Sequence, residues 1–121
     1  MTALPRDLAG WTAVLDGLAE AVWLVEPATQ RVLHANRAAV DLTGRPAASM
    51  LGQPVQQIAE TPEDLFFWGQ PVDGLVQGID SRSSVAARGR GWIAVDRRVT
   101  AVTLPAGDVL LMLKIGRASC R

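Results

Sequence analysis

Residues 21–55 read AVWLVEPATQRVLHANRAAVDLTGRPAASMLGQPV. The first five, AVWLV, form a short apolar run with β-branched and aromatic members, which predicts a strand. Glu26-Pro27 ends it, 27–30 (PATQ) reads as a turn, and 31–35 (RVLHA) is the hairpin partner. Both parities of the first strand are apolar: Val22 and Leu24 on one, Ala21, Trp23 and Val25 on the other. A strand with one wet face alternates with polar residues, so this sheet is covered on both faces. Asn36 then opens a helix as its N-cap, because the side-chain oxygen accepts an otherwise free amide. Ala38, Ala39 and Leu42 give that helix a small apolar face, and Gly44 stands where a left-handed C-cap favours glycine. A second short helical turn follows over 46–51 and stops at Gly52 and Pro54.

Upstream, Leu8, Trp11, Val14, Leu15 and Leu18 recur at spacings of three and four, which predicts an amphipathic helix over 7–18. Downstream, Thr61-Pro62-Glu63-Asp64 is a well-formed helix start, with a cap, a proline at the first position and acids at the positive helix end. Leu65, Phe66, Phe67 and Trp68 follow without a polar break, and one helical face cannot hold all four. Residues 72–79 read as a further short turn. The period then changes. Strands are expected over 83–88, over 92–104 (Ile93, Val95 and Val99 on one parity) and over 109–115 (VLLMLKI). Strands at both ends with helices inserted between them give an α+β fold built on an antiparallel sheet.

The 121 residues suit one domain, and 49% apolar with 20% charged residues is ordinary globular composition. No apolar run approaches the ~20 residues of a membrane span, and the N-terminus lacks a basic start followed by an apolar core, so a cytoplasmic chain is expected. One cysteine and one histidine are too few for a disulfide framework or a structural zinc site. Residues 1–80 hold four basic and ten acidic residues, and 81–121 hold eight basic and two acidic. The two parts are too short to fold apart, so this asymmetry reads as attraction within one domain rather than as a nucleic-acid surface. Catalytic signals are absent from the sequence: His34 is the only histidine, and there is no nucleophile elbow or phosphate loop. No enzyme activity is expected of this domain.

The ordered set Glu26, Asn36, Ala38, Leu42, Gly44, Leu51 and Gly52, followed by Gly91-Trp92 at a strand start, resembles a PAS domain over about residues 10–115. The resemblance implies a PAS-like five-stranded antiparallel sheet with short helices over one face and an N-terminal amphipathic helix. It divides the chain into that helix (1–19), the PAS-like domain (20–115) and a flexible or non-native tail (116–121). The usual Asp-Ile-Thr-like ending is replaced by KIGRASCR. Family members act as sensory or regulatory input modules of larger bacterial signalling proteins. A small ligand or a partner shifts a dimer face or terminal helix and so controls a linked output domain. The alternative is a ligand-free dimerisation or interaction module with a self-filled core.

The same resemblance narrows the cofactor, whose identity stays unknown. Flavin photosensors of the family use a cysteine in the helix after the Asn, and Cys120 lies elsewhere. Haem sensors draw a histidine from the longer central helix, and 62–79 contain none. Haem, zinc and cysteinyl-flavin chemistry are therefore disfavoured, and a small organic ligand or none is left. A candidate ligand wall comprises Val22 and Leu24 of the first strand, Asn36 and Val40, Met50, and Phe66, Phe67 and Trp68. Ile93, Val95, Val99 and Leu111 complete its apolar part. Arg97 or Arg98 points inward by alternation, and Arg97 joins the wall, with a solvated strand face as the competing reading. The expected homodimer surface is Trp11, Val14 and Leu15 of the first helix, Trp23 and Val25 of the first strand, and Leu110 and Met112 of the last.

Overall fold

The computed structural model describes residues 8–57, 66–70, 79–87, 91–103 and 109–117. In chain order they form α1 (Leu8–Asp16), β1 (Ala21–Val25), β2 (Val32–Ala35), α2 (Arg37–Thr43) and α3 (Ala47–Met50). A 3-10 turn (Val55–Gln57) follows, then β3 (Ile79–Ala87), β4 (Gly91–Thr103) and β5 (Val109–Arg117). Residues 66–68 are a separate helical turn. The expected helix start at 61–64 and the expected turn at 105–108 lie outside the described residues, as do most of 72–79. Ile79 itself begins β3, and β5 runs two residues past the expected domain end at 115.

The five strands make one sheet in the order β2-β1-β5-β4-β3, and every pairing is antiparallel. The two chain ends therefore meet at the centre, with Ala21 opposite Ile115 and Val25 opposite Leu111. In β1–β2 the register slips: Leu24 faces His34 but Val25 faces Val32, so Leu33 is an extra residue. This bulge leaves Leu33 and His34 on the same side of the sheet.

One face carries the main core. Trp23, Val25, Val32, Val95, Val99, Leu111 and Leu113 pack there against Ala39 and Leu42 of α2, Met50 of α3, Val55, Phe67 and Trp68. Each large side chain removed from water there contributes about 1.5–3 kcal/mol. The opposite face is thinner: Leu24 and Leu110 are buried under Leu15 of α1, with Leu33 and Met112 beside them. Both faces of the central strands are thus covered.

The assignment of β1 is the reverse of the expectation. Trp23 and Val25 face the helices, whereas Leu24 lies under α1, and Val22 shares its parity. Both parities being apolar, alternation says which residues share a face but not which face is thick. An indole needs a deep layer and a partner for its N–H. Trp23 has both: it is 0% exposed, and Nε1 lies 3.4 Å from Met50 Sδ.

In the β3–β4 register Arg82 stands opposite Asp96 and Asp80 opposite Arg98.

Candidate functional site

Asn36 is the junction of three elements. Its Oδ1 accepts the amide of Val22 in β1 at 2.9 Å and that of Ala39 in the first turn of α2 at 3.0 Å. Its Nδ2 donates to the carbonyls of Leu15 in α1 at 2.8 Å and Glu20 at 2.9 Å. A carboxamide offers two donors and two main acceptor positions, and all four are used inside the chain. Asn36 is 0% exposed. It is a clamp, as a cap residue ahead of a helix can be.

The end of α1 is held at two further points. Leu15 packs against the buried Leu24 and Leu110 cluster, as do Leu33 and Met112. His34, opposite Leu24 and so on the α1 side of the sheet, places Nε2 3.2 Å from Asp16 Oδ1. Val14, by contrast, is 56% exposed, and Leu18 just past the helix is also exposed. Val14 and Leu18 are four residues apart and share a stripe turned away from the sheet. The side chain of Trp11 lies outside the described residues.

The expected ligand wall is only partly assembled. Met50, Phe67, Trp68, Val95, Val99 and Leu111 share the inner core, and Val40 packs against it while partly buried. Phe66 does not belong: it is 77% exposed. Three consecutive helical residues point about 100° apart, so when Phe67 and Trp68 turn inward the ring of Phe66 is left outside. Val22 and Leu24 are on the other face, and the Ile93 side chain lies outside the described residues. Leu110 and Met112 are on the α1 side, separated by the sheet from Trp23 and Val25, so the expected dimer residues do not form one surface.

Arg97 is the polar member of the inner face. It is 1% exposed between Val95 and Val99, while its neighbours Asp96 and Arg98 are exposed. Glu26 is held within its own turn: Oε1 accepts the amide of Ala28 and Oε2 that of Thr29 at 2.7 Å. Partial burial pushes the Glu26 carboxyl up, but hydrogen bonds from the Thr29 side chain and the Thr29 and Ala28 amides outweigh it and hold the carboxyl below its ordinary value.

Open grooves lie where β1 begins and β5 ends. One, of about 480 Å³, is bordered by Ala19, Ala21, Ala38 and Leu42 with Glu20 and Asp41. Another, of about 320 Å³, is bordered by Glu20, Asp96, Arg97, Arg98 and Lys114. Among the described residues no group of acids, histidines and cysteines is placed to hold a metal ion, and no helix is long and apolar enough to cross a membrane.

Sequence signals missed the bulge at Leu33, because a bulge leaves no composition mark.

The PAS domain family matches residues 11–79 of the chain. No curated protein matches it. Among solved structures, the PAS domain of nitrogen regulation protein NR(II) from Vibrio parahaemolyticus is 22% identical, with 97% of this chain and 100% of that chain covered and a TM-score of 0.67. The PAS domain of HTR-like protein from Haloarcula marismortui is 10% identical, with coverage of 91% and 90% and a TM-score of 0.71. The photoactive yellow protein domain of the sensor histidine kinase Ppr from Rhodospirillum centenum is 16% identical, with coverage of 88% and 92% and a TM-score of 0.69. At these identities the likeness is one of fold.

Proposed function

This chain belongs to the PAS domain family, and from that premise we propose that it is a sensory input module that controls a linked signalling output through the seating of α1. The observation that carries this reading is the Asn36 clamp. One buried carboxamide ties the end of α1 to the start of β1 and the first turn of α2. A shift of the helices over the inner face therefore reaches α1 through a rigid joint. Among the described residues α1 meets the sheet through Leu15 and Asp16 near its end, which makes its seating the element we take an input to move. An input can move it only by binding the two seatings with different affinity.

A second copy is the partner that fits the exposed stripe of α1. Val14 and Leu18 present apolar surface away from the sheet, and helix–helix contact between two copies would bury it. The test is light scattering during size exclusion on the full chain and on a Val14→Glu, Leu18→Glu double variant. The expected result is a dimer that becomes a monomer with unchanged thermal unfolding. A monomeric parent chain at high concentration, or a double variant that still dimerises, overturns the dimer reading.

Arg97 favours a small anionic ligand as the input. Arg97 is a 1% exposed cation on the inner face, and its planar guanidinium can pair with a carboxylate-bearing molecule beside the partner it holds within the chain. The opposite reading, a self-filled interior, is favoured by Trp23, Met50 and Trp68, which fill the described part of the inner layer. Mass spectrometry of gently purified protein, with an absorbance scan above about 300 nm, separates them. A co-purifying molecule supports the ligand, and a clean apo-protein that still dimerises supports the self-filled module.

A further inference from the structure

Toward the end of β5 the α1 side of the sheet turns from apolar to charged. Leu110, Met112, Lys114 and Gly116 share one parity, and the first two pack with Leu15. Lys114 stands opposite Arg98 of β4, and Gly116 opposite Asp96. On the other flank Lys114 faces Val22 and Ile115 faces Ala21, which brings Glu20 level with Gly116. A row holding the cations Arg98 and Lys114 thus lies beside a row with an acid at each end, Asp96 and Glu20, and a glycine between them. A side-chain carbon built on Gly116 would meet no heavy atom of the described residues within 4 Å. That gap is part of the open groove of about 320 Å³, whose border Arg97 of the inner face completes.

We propose that this groove binds a small zwitterion, an ammonium and a carboxylate joined by a short chain, as in an amino acid, with the ammonium over Gly116 and the carboxylate between Arg98 and Lys114. A plain anion would meet two carboxylates at the groove, and a plain cation would meet the cations. A molecule with both charges sets each end against the opposite sign. Two residues along a strand span about 7 Å, so the two rows suit charges a few bonds apart. Glu20 and Lys114 form a loose pair: Oε1 and Nζ are 3.6 Å apart, and the side chains are 56% and 29% exposed. A charge-assisted hydrogen bond is shorter, about 2.7–2.9 Å, and an exposed pair holds little. A zwitterion that gives each partner its counter-charge therefore enters without breaking a strong bond. Arg98 and Lys114 face each other across β4 and β5; like charges so placed repel, and a carboxylate between them offsets this. Asp96 and Arg98 keep partners within the chain, and a carboxylate or guanidinium makes several hydrogen bonds, which leaves capacity for a ligand. The Glu20 carbonyl is held by Asn36 Nδ2 at 2.9 Å, so a ligand on Glu20 acts on the connection between α1 and β1. As an input to α1 the site rests on the sensory reading above; as a binding site it rests on its own residues.

The probe is β-alanine, with propionate as the version that lacks the ammonium and ethylamine as the version that lacks the carboxylate. The full chain is labelled with ¹⁵N and titrated at low ionic strength, where exposed charges are least screened. The Gly116 amide is assigned with Gly116→Ala, a change for which the strand has room. The expected result is a saturable shift of that amide with β-alanine, and about fivefold weaker binding of propionate and of ethylamine, the loss of one exposed ion pair. Glu20→Gln, a change at an exposed side chain, is expected to weaken β-alanine and to strengthen propionate, because it removes the partner of the ammonium and a charge that repels an anion. If that variant does not fold, the three-probe comparison on the parent chain decides alone. Three results overturn the site: no saturable shift of the Gly116 amide, equal affinity of β-alanine and either single-charge probe, or a folded Glu20→Gln chain that binds β-alanine as the parent does. If Gly116 responds while the Leu15 and Asp16 amides stay still, the site stands and the relay to α1 is refuted.

Discussion

At the scale of single residues, the Asn36 carboxamide separates two jobs that one variant can pull apart. Asn36→Ala strips the partners from the amides of Val22 and Ala39 and from two carbonyls. Those groups include a buried strand amide, and the expected loss is about 2–4 kcal/mol in urea unfolding. Asn36→Asp keeps both acceptor positions, so α2 stays capped, but its oxygens face the Leu15 and Glu20 carbonyls in place of N–H donors. Hydrogen exchange is expected to speed up in α1 and far less in α2. Glu26 gives a test in pH. Its carboxyl is held below its ordinary value in the folded chain, so the native state binds fewer protons than the unfolded one near that pH. The stabilisation is present above the unfolded value and is lost as pH falls through the folded one. Glu26→Gln removes the titrating group. Urea unfolding measured from pH 6 down to pH 3 is expected to show a shallower fall for this variant than for the parent chain.

At the scale of elements, the local signals were readable and the long-range ones were not. Asn36 and Gly44 were legible because a cap is decided by its own few residues: Asn36 accepts the Ala39 amide, and Gly44 sits at φ 70° as the left-handed cap. The early start of β3 was not. Its sequence, IDSRSSVAA, is polar at five consecutive positions, and its pairing with β4 from Ile79 opposite Val99 to Ala87 opposite Gly91 makes it a strand. The bulge at Leu33 was equally hidden, because it follows from two registers meeting, Leu24 with His34 and Val25 with Val32. That bulge bears on the candidate site, since it brings Leu33 and His34 under α1 together. Among the described residues Leu15 is the α1 side chain packed into that cluster. Leu15→Ala is therefore expected to release α1 as a unit. Being half-buried, it should cost about 1–2 kcal/mol, less than a fully buried leucine. Hydrogen exchange checks this: α1 amides lose protection, while β1 and β5 amides keep theirs.

At the scale of the whole molecule, one sheet carries two unequal layers, and Trp23 shows which is which. The sequence revealed that both faces of β1 are covered, from its unbroken apolar run. It did not reveal that the odd-numbered residues meet the thick layer, because size and depth have to be matched in three dimensions. Trp23 is 0% exposed and shares its cluster with Met50, Phe67, Trp68, Val95 and Leu113, residues from the inserted segment and from both C-terminal strands. Removing it opens a cavity in the main core cluster. Trp23→Ala is expected to cost about 3–5 kcal/mol, a large share of the roughly 5–15 kcal/mol that holds a domain folded. Trp23→Glu adds an uncompensated buried charge and is expected to abolish cooperative unfolding and near-ultraviolet circular dichroism at every protein concentration. A residue on a dimer surface behaves differently: a charge there lowers association and leaves the monomer's spectrum and unfolding intact, the result expected for Val14→Glu. Spectra and light scattering on both variants thus read the orientation of the sheet directly, and a folded monomeric Trp23→Glu chain would place the indole on the α1 side instead.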